Sequence, residues 1–327
     1  MIISRTPFRL SLVGGGSDFR EYYSTHPGAV VSMAIDRHMY VTVNQRFDDS
    51  IRVSYTKTET VDHVDDLDHR IIREALKRTG VTKGVEVTTV ADVPAGIGLG
   101  SSSSLTVGAL NALHAYKGVY VTHEKLARMA CEIEIEAVKS PIGKQDQYIA
   151  AFGGFRHIRF NGNGTVTVEP VICCPRVRRR LFESLLLFYT GINRDAGTVL
   201  GEVKKNIRSR PAARETLDKT VQLVGELLEM LSRGDLARVG ELLDRSWALK
   251  KEMGSKVTND TLERYYRSAL RAGAGGGKVS GAGGGGCLLL FVKPRAQASV
   301  REAMRRRGLK EIRFAMEPDG SKIIFAG

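Results

Sequence analysis

The chain has 327 residues, 42% hydrophobic and 26% charged, with a formal net charge of +13. That length can bury two cores, and the composition is that of an ordinary globular protein and not of a disordered or fibrous one. No apolar run approaches the roughly 18 residues that cross a bilayer, the N-terminus lacks a signal-peptide layout, and the four cysteines (Cys131, Cys173, Cys174, Cys287) show neither CxxC nor zinc spacing, so a cytoplasmic enzyme with reduced thiols is expected.

Along the chain, residues 8–13, 29–34, 39–45 and 51–55 read as strands by their β-branched, alternating character. Asp68 is placed to cap a helix ending near Gly80, and residues 85–90 form another strand. Helices follow from Leu105 to about Lys117, and from Thr122, a candidate N-cap, to about Lys139. Asn161-Gly-Asn-Gly164 between residues 155–160 and 165–169 predicts a hairpin. The second half opens with a strand at 185–189. It turns helical near 196–208, 215–232, 236–252 and 262–271, where Leu, Val and Met recur at core-packing spacing. It closes with a strand at 287–292, a helix at 297–306, and strands at 312–314 and 323–325. The Cys173-Cys-Pro-Arg176 stretch marks the boundary between domains 1–175 and 176–327.

Basic residues come in short runs (Arg176, Arg178, Arg179 and Arg180; Arg305 to Arg307) without interleaved aromatics, so they read as solvated faces and not as a nucleic-acid motif. A positive field also suits small anionic substrates.

The most informative stretch is Pro94-Ala-Gly-Ile-Gly-Leu-Gly-Ser-Ser-Ser-Ser-Leu105. A glycine-rich turn entering a helix bares backbone N–H groups at the positive end of the helix dipole, which is a phosphate site. A flexible linker would not keep Ile97 and Leu99 between its glycines. It is not a P-loop, because the nearest candidate, Gly277-Lys278, is followed by Val279 and has Ala272 in place of the first glycine. Gly281, Gly283 and Gly286 fit a dinucleotide fingerprint but precede a strand, where the fingerprint must follow one.

Three segments in order resemble the GHMP kinase superfamily. They are Arg9-Leu-Ser-Leu-Val-Gly-Gly-Gly-Ser-Asp18, the serine loop, and Lys278-Val-Ser-Gly-Ala-Gly-Gly-Gly-Gly-Cys287. Within it, Arg5-Thr-Pro-Phe-Arg-Leu-Ser-Leu, the triple glycine, the quadruple serine, Ala130-Cys-Glu-Ile-Glu-Ile-Glu136 and Pro141-Ile-Gly-Lys-Gln-Asp-Gln-Tyr148 are similar to heptose 7-phosphate kinases. The resemblance implies a two-domain α+β fold. Its N-terminal ATP-binding domain would be like that of a ribosomal protein, with a left-handed βαβ unit, and its C-terminal domain ferredoxin-like.

It also implies a site for ATP and Mg2+. Pro94, Gly96, Gly98, Leu99, Gly100, Ser101, Ser102 and Ser103 would hold the nucleotide, with Ser102 favoured as the serine facing the metal. Of Glu132, Glu134 and Glu136, two apart on one predicted helix, at most one points inward; by resemblance it is Glu134, twelve residues before Asp146. Asp146 would act as general base and Arg9 as an electrostatic partner of the transferred phosphate. Gly14, Gly15, Gly16, Ser17, Asp18, Lys144, Gly283 and Gly284 would bind the acceptor. For a 7-phosphate, Lys144, Arg20, Arg37 and Arg194 are candidates by charge alone. The acceptor would be a sugar phosphate, with no nucleic acid or membrane partner. A free-sugar kinase and a catalytically silent sugar sensor are the competing readings, and a homodimer is one open oligomeric state.

Overall fold

Two long strands organise the first half of the chain, whose computed structural model describes residues 1–193 and 195–327. β1 (Ile2–Val13) pairs antiparallel with the 18-residue β2 (Gly28–Gln45), with the short helix α1 (Arg20–Tyr23) between them. The two strands expected at 29–34 and 39–45 are thus one. The polar Asp36 and Arg37 that broke the pattern are bulged out, since Pro7 faces His38 and Phe8 faces Ile35. β3 (Ile51–Ser54) and β4 (Thr58–Val61) form a hairpin, and α2 (Arg70–Thr79) leads into β5 (Val85–Ala91). β3 and β5 are parallel, which makes β3–α2–β5 a βαβ unit. α2 is capped by His69, whose side chain accepts from the Ile72 amide; Asp68, the expected cap, is instead drawn to Lys57 at 2.7 Å.

The serine loop feeds α3 (Ser101–Tyr116), which is buried almost all round, as a helix wedged under a sheet must be. Its approach is set by Gly108, where a Cβ would lie 2.8 Å from Thr6 Oγ1, and Ser4 Oγ donates to the Gly108 carbonyl at 2.8 Å. Thr122 caps α4 (His123–Cys131), accepting from the Lys125 amide at 3.3 Å. The chain then widens into one π-helical turn over residues 132–137 instead of continuing as an α-helix to Lys139. α5 (Gln145–Phe152) follows, then the hairpin of β6 (Phe155–Phe160) and β7 (Val166–Pro170), which joins the sheet through β2.

α6 (Pro175–Glu183) spans the expected boundary, with Pro175 at its start and its arginines mostly in solvent. β8 (Leu185–Tyr189), the helices α7 (Ala196–Ser209), α8 (Pro211–Arg233), α9 (Val239–Glu252) and α10 (Asp260–Arg271), β9 (Gly276–Val279), β10 (Cys287–Phe291), α11 (Gln297–Arg306) and β11 (Lys310–Glu311) complete the second half. Its sheet is antiparallel in the order β11-β8-β10-β9, the ferredoxin-like arrangement. β9 is a strand despite reading Gly-Gly-Lys-Val. A Cβ on Gly277 would lie 2.2 Å from the Leu289 carbonyl oxygen, so only glycine lets this edge approach β10.

The last strand, β12 (Lys322–Ala326), leaves this half and pairs with β1. Residues 312–314 are not a strand; they carry the chain back, through an isolated bridge from Met316 to Ile35. A second core forms around Trp247, Phe188 and Leu290, apart from the one beneath the large sheet. Among the described residues, no helix is long and apolar enough to cross a membrane, and the four cysteines are unpaired.

Candidate active site

The glycine loops of the two halves touch. A Cβ on Gly281 would lie 2.6 Å from Gly98 Cα, and one on Gly98 would lie 2.6 Å from the Ser280 carbonyl oxygen. Both residues have positive φ, +65° at Gly281 and +81° at Gly98, so glycine is required for conformation as well as for space. Ser280 Oγ closes the contact by donating to the Gly98 carbonyl at 2.8 Å. Beside this junction runs a cleft lined by Gly96, Gly98, Ser101, Ser102, Ser103 and Gly283. The residue capping α3 is Gly100, in the left-handed conformation and with no side chain to offer, so the amides of the first turn are left for a ligand.

A second hollow lies between β1, α5 and the helices of the other half; Gly16, Asp18, Gln145, Ser246, Lys250 and Lys278 are on its walls. The two spaces share Arg9, Ile142, Asp146, Leu200, Gly281 and Ala282. Arg9 Nε donates to Asp146 Oδ1 at 2.7 Å and Nη2 donates to Oδ2 at 2.6 Å, while Nη1 donates to the Gly98 carbonyl at 2.7 Å. This bidentate pair ties β1, the serine loop and α5 at one point. Asp146 stands in the first turn of α5.

Asp18 is buried and accepts from the amides of Gly16 at 3.0 Å and Gln145 at 3.1 Å; burial raises its pKa, against the lowering effect of those amides. The approach depends on Gly143, where a Cβ would lie 2.1 Å from Asp18 Oδ2. Glu134, on the π-helical turn, is fully buried at the start of α3 and accepts from Ser102 Oγ at 2.5 Å, Ser103 Oγ at 2.7 Å and Gln147 Nε2 at 2.7 Å. Burial pushes its pKa up to about 7 in spite of these three donors. Glu132 instead pairs with Arg78, and Glu136 is exposed.

Two family models match the chain: the GHMP kinases N-terminal domain over residues 68–154 and the GHMP kinases C-terminal domain over residues 226–310. A D-glycero-alpha-D-manno-heptose 7-phosphate kinase of Campylobacter jejuni is 32% identical, with 98% of each chain covered. The chain belongs to the GHMP kinases. A solved structure described as a D-glycero-D-manno-heptose 1-phosphate kinase from Bacteroides thetaiotaomicron superposes over the whole of both chains with a TM-score of 0.84 at 26% identity. A galactokinase of Pyrococcus furiosus is 26% identical over 97% of each chain.

Against this GHMP kinase fold, the residues expected to bind ligand divide cleanly. Gly96, Gly98, Gly100, Ser101, Ser102 and Ser103 line the cleft. Pro94 lies outside it and is exposed, and Leu99 is a core residue whose carbonyl accepts from the Arg9 amide at 3.0 Å. Gly15, Gly16 and Asp18 face the second hollow. Gly14 does not; a Cβ there would lie 2.1 Å from the Ala29 carbonyl oxygen, and Ser17 is a buried brace whose hydroxyl donates to the Gly14 carbonyl at 2.8 Å. Gly283 lines the cleft and not the second hollow, and Gly284 lines neither, its amide being bonded to the Val257 carbonyl. Lys144 faces a third hollow, with Nζ donating to the Gly164 carbonyl at 2.7 Å and lying 5.0 Å from the Tyr23 ring centroid. Arg20 lines that same hollow, Arg37 Nη1 is turned to the Asp36 carbonyl at 2.6 Å, and Arg194 lies outside the described residues.

Sequence reading missed Lys250 and Gln147. Lys250 sits on a helix whose Leu and Trp spacing signals only core, and Gln147 follows Asp146 with no motif of its own. A lysine turned to the apolar face of α9, one turn after Ser246, was the available signal.

Proposed function

We propose that this kinase transfers the γ-phosphoryl group of ATP to the anomeric C1 hydroxyl of D-glycero-D-manno-heptose 7-phosphate, a step toward a nucleotide-activated heptose. The observation that carries the reading is the meeting of two hollows at one ion pair, Arg9 with Asp146. A phosphoryl transfer needs donor and acceptor held on opposite sides of such a point, with charge stabilisation in place.

The first-turn amides of α3 and the glycines before them cradle the triphosphate. Arg9 faces the transferred group as a fixed cation, and its grip orients Asp146 toward the acceptor hydroxyl, whose proton Asp146 accepts as the C1 oxygen attacks. Asp18, aimed into the acceptor hollow beside Gly15 and Gly16, takes hydrogen bonds from sugar hydroxyls. The donor set at Glu134 fits Mg2+: one buried carboxylate with the hydroxyls of Ser102 and Ser103, at the foot of the phosphate cradle. Among the described residues no cluster of three or more His, Cys, Asp or Glu gathers, so the remaining ligands would be phosphate oxygens and water. When bound, the cation neutralises charge on the phosphates. In this reading residues 1–175, completed by the returning β12, form the nucleotide half, and residues 176–327 up to that strand cover the acceptor.

Two of the relatives, the Campylobacter jejuni kinase and the Bacteroides thetaiotaomicron structure, are named for a heptose phosphate, which supports this acceptor over a free hexose. ADP release with magnesium-ATP against D-glycero-D-manno-heptose 7-phosphate, mannose 6-phosphate, fucose, galactose and mevalonate tests it. Fast turnover of the heptose phosphate with a 1,7-bisphosphate product is expected; preference for a free sugar replaces the substrate.

A further inference from the structure

We propose that Lys250 and Lys278 form an anion site that holds the acceptor's own phosphate. The inference rests on the sugar-phosphate reading above and places the group that reading left without a partner.

Both lysines line the acceptor hollow and neither lines the nucleotide cleft. Lys278 is 3% exposed, and its Nζ donates only to the Leu12 carbonyl, at 3.0 Å. Lys250 Nζ donates to the carbonyls of Val279 at 3.0 Å and Gly281 at 2.5 Å. Among the described residues neither has a carboxylate partner. An ammonium offers three donors, so each retains at least one for a ligand.

The charged groups on the same walls do not relieve them. Arg9 is a third cation, already committed to Asp146, and Asp18 is held by two backbone amides. Burial, with Arg9 nearby, pushes Lys278 down to about 7, and burial with Lys278 and Arg9 pushes Lys250 well below the ordinary lysine range. A buried and a half-buried lysine, bonded only to carbonyls with another cation beside them, are expensive unless an anion visits. Ser246, buried and one turn before Lys250 on α9, adds a hydroxyl to the same wall. A dianionic phosphate monoester matches two ammonium groups and a hydroxyl in charge and in hydrogen bonding.

The test compares kcat/KM for D-glycero-D-manno-heptose 7-phosphate and for the same heptose without its phosphate, in wild type, Lys250→Met, Lys278→Arg and Lys144→Met. The wild-type preference for the phosphorylated sugar should collapse in Lys250→Met by ~100-fold, the loss of one charge-assisted contact with its buried partner, and survive in part in Lys278→Arg. The KM for ATP should move far less. An unchanged preference in Lys250→Met, or its collapse in Lys144→Met instead, would overturn the site. Calorimetric binding of the sugar phosphate and of inorganic phosphate, in buffers of different ionisation heat, judges it without turnover. Proton uptake at pH 8, lost in Lys250→Met, supports it. Inorganic phosphate binding as tightly as the sugar phosphate, or no binding by either, overturns it. If wild type binds the sugar phosphate through these lysines yet turns over another acceptor, the substrate reading alone falls.

Discussion

Arg9 holds both carboxylate oxygens of Asp146, and the same guanidinium reaches the Gly98 carbonyl of the phosphate loop. One side chain thereby fixes the distance between the group that would accept a proton and the loop that would hold the donor. A side chain at Gly100 would press on this contact, because a Cβ there would lie 3.2 Å from both Arg9 Cγ and Asp146 Oδ2, and its φ of +78° favours glycine.

Asp146→Asn keeps the size of the side chain, removes the proton acceptor and sets its amide NH2 against one of Arg9's two donors. Turnover should fall by ~10²–10⁴-fold, the usual worth of a positioned general base, while nucleotide binding followed by fluorescence or calorimetry stays close to wild type. Unchanged turnover would remove Asp146 as the base.

Glu134→Ala should raise the magnesium concentration needed for half-maximal rate by at least ~10-fold, a typical cost of disturbing a metal site's ligand shell. The same titration on Glu132→Ala should match wild type, since Glu132 is turned to Arg78 on the far side of the turn. A magnesium dependence that responds to Glu132 and not to Glu134 would reverse the assignment.

Gly281→Ala puts a Cβ into Gly98 Cα at a residue with φ of +65°. The two glycine loops must part, at a cost of ~1–3 kcal/mol, and the KM for ATP should rise more than that for the acceptor. Gly201→Ala, in open space on α7, is the control; a melting temperature and ATP KM equal between the two variants would contradict the close packing.

Lys278 predicts a pH effect of definite sign. Unfolded, the lysine titrates near 10.5; folded, near 7. Between those values the unfolded chain binds the extra proton, so stability should rise with pH from about 7 toward 10, by up to ~1.4 kcal/mol per pH unit for this group. Urea unfolding at pH 7.5 and 9.5 should show that rise in wild type, shrinking in Lys278→Met. Equal pH slopes for the two proteins would mean that the lysine is not held down in the fold.

Much of this protein is written locally. The short apolar run at 185–189, the Asn161-Gly-Asn-Gly164 turn and the helical spacing at 297–306 are elements because each segment's own composition suits one backbone conformation, and the structure has them where the sequence put them. The serine loop is legible for the same reason: glycines, serines and a helix start are contiguous, so a phosphate cradle needs no distant partner to be recognised.

What the chain could not show by itself depends on segments that meet only after folding. β9 is a strand because its glycines let β10 approach, and β12 belongs to the first sheet because the tail crosses back to β1. Glu134 alone of the three glutamates turns inward because a π-helical turn packs it against α3 and α5. Lys144, chosen by charge, faces Tyr23 and Gly164, and Lys250, passed over as core, reaches the acceptor hollow because α9 lies against it. Side-chain chemistry follows residue type, but the burial that makes a charge consequential is set by what packs upon it from elsewhere in the chain.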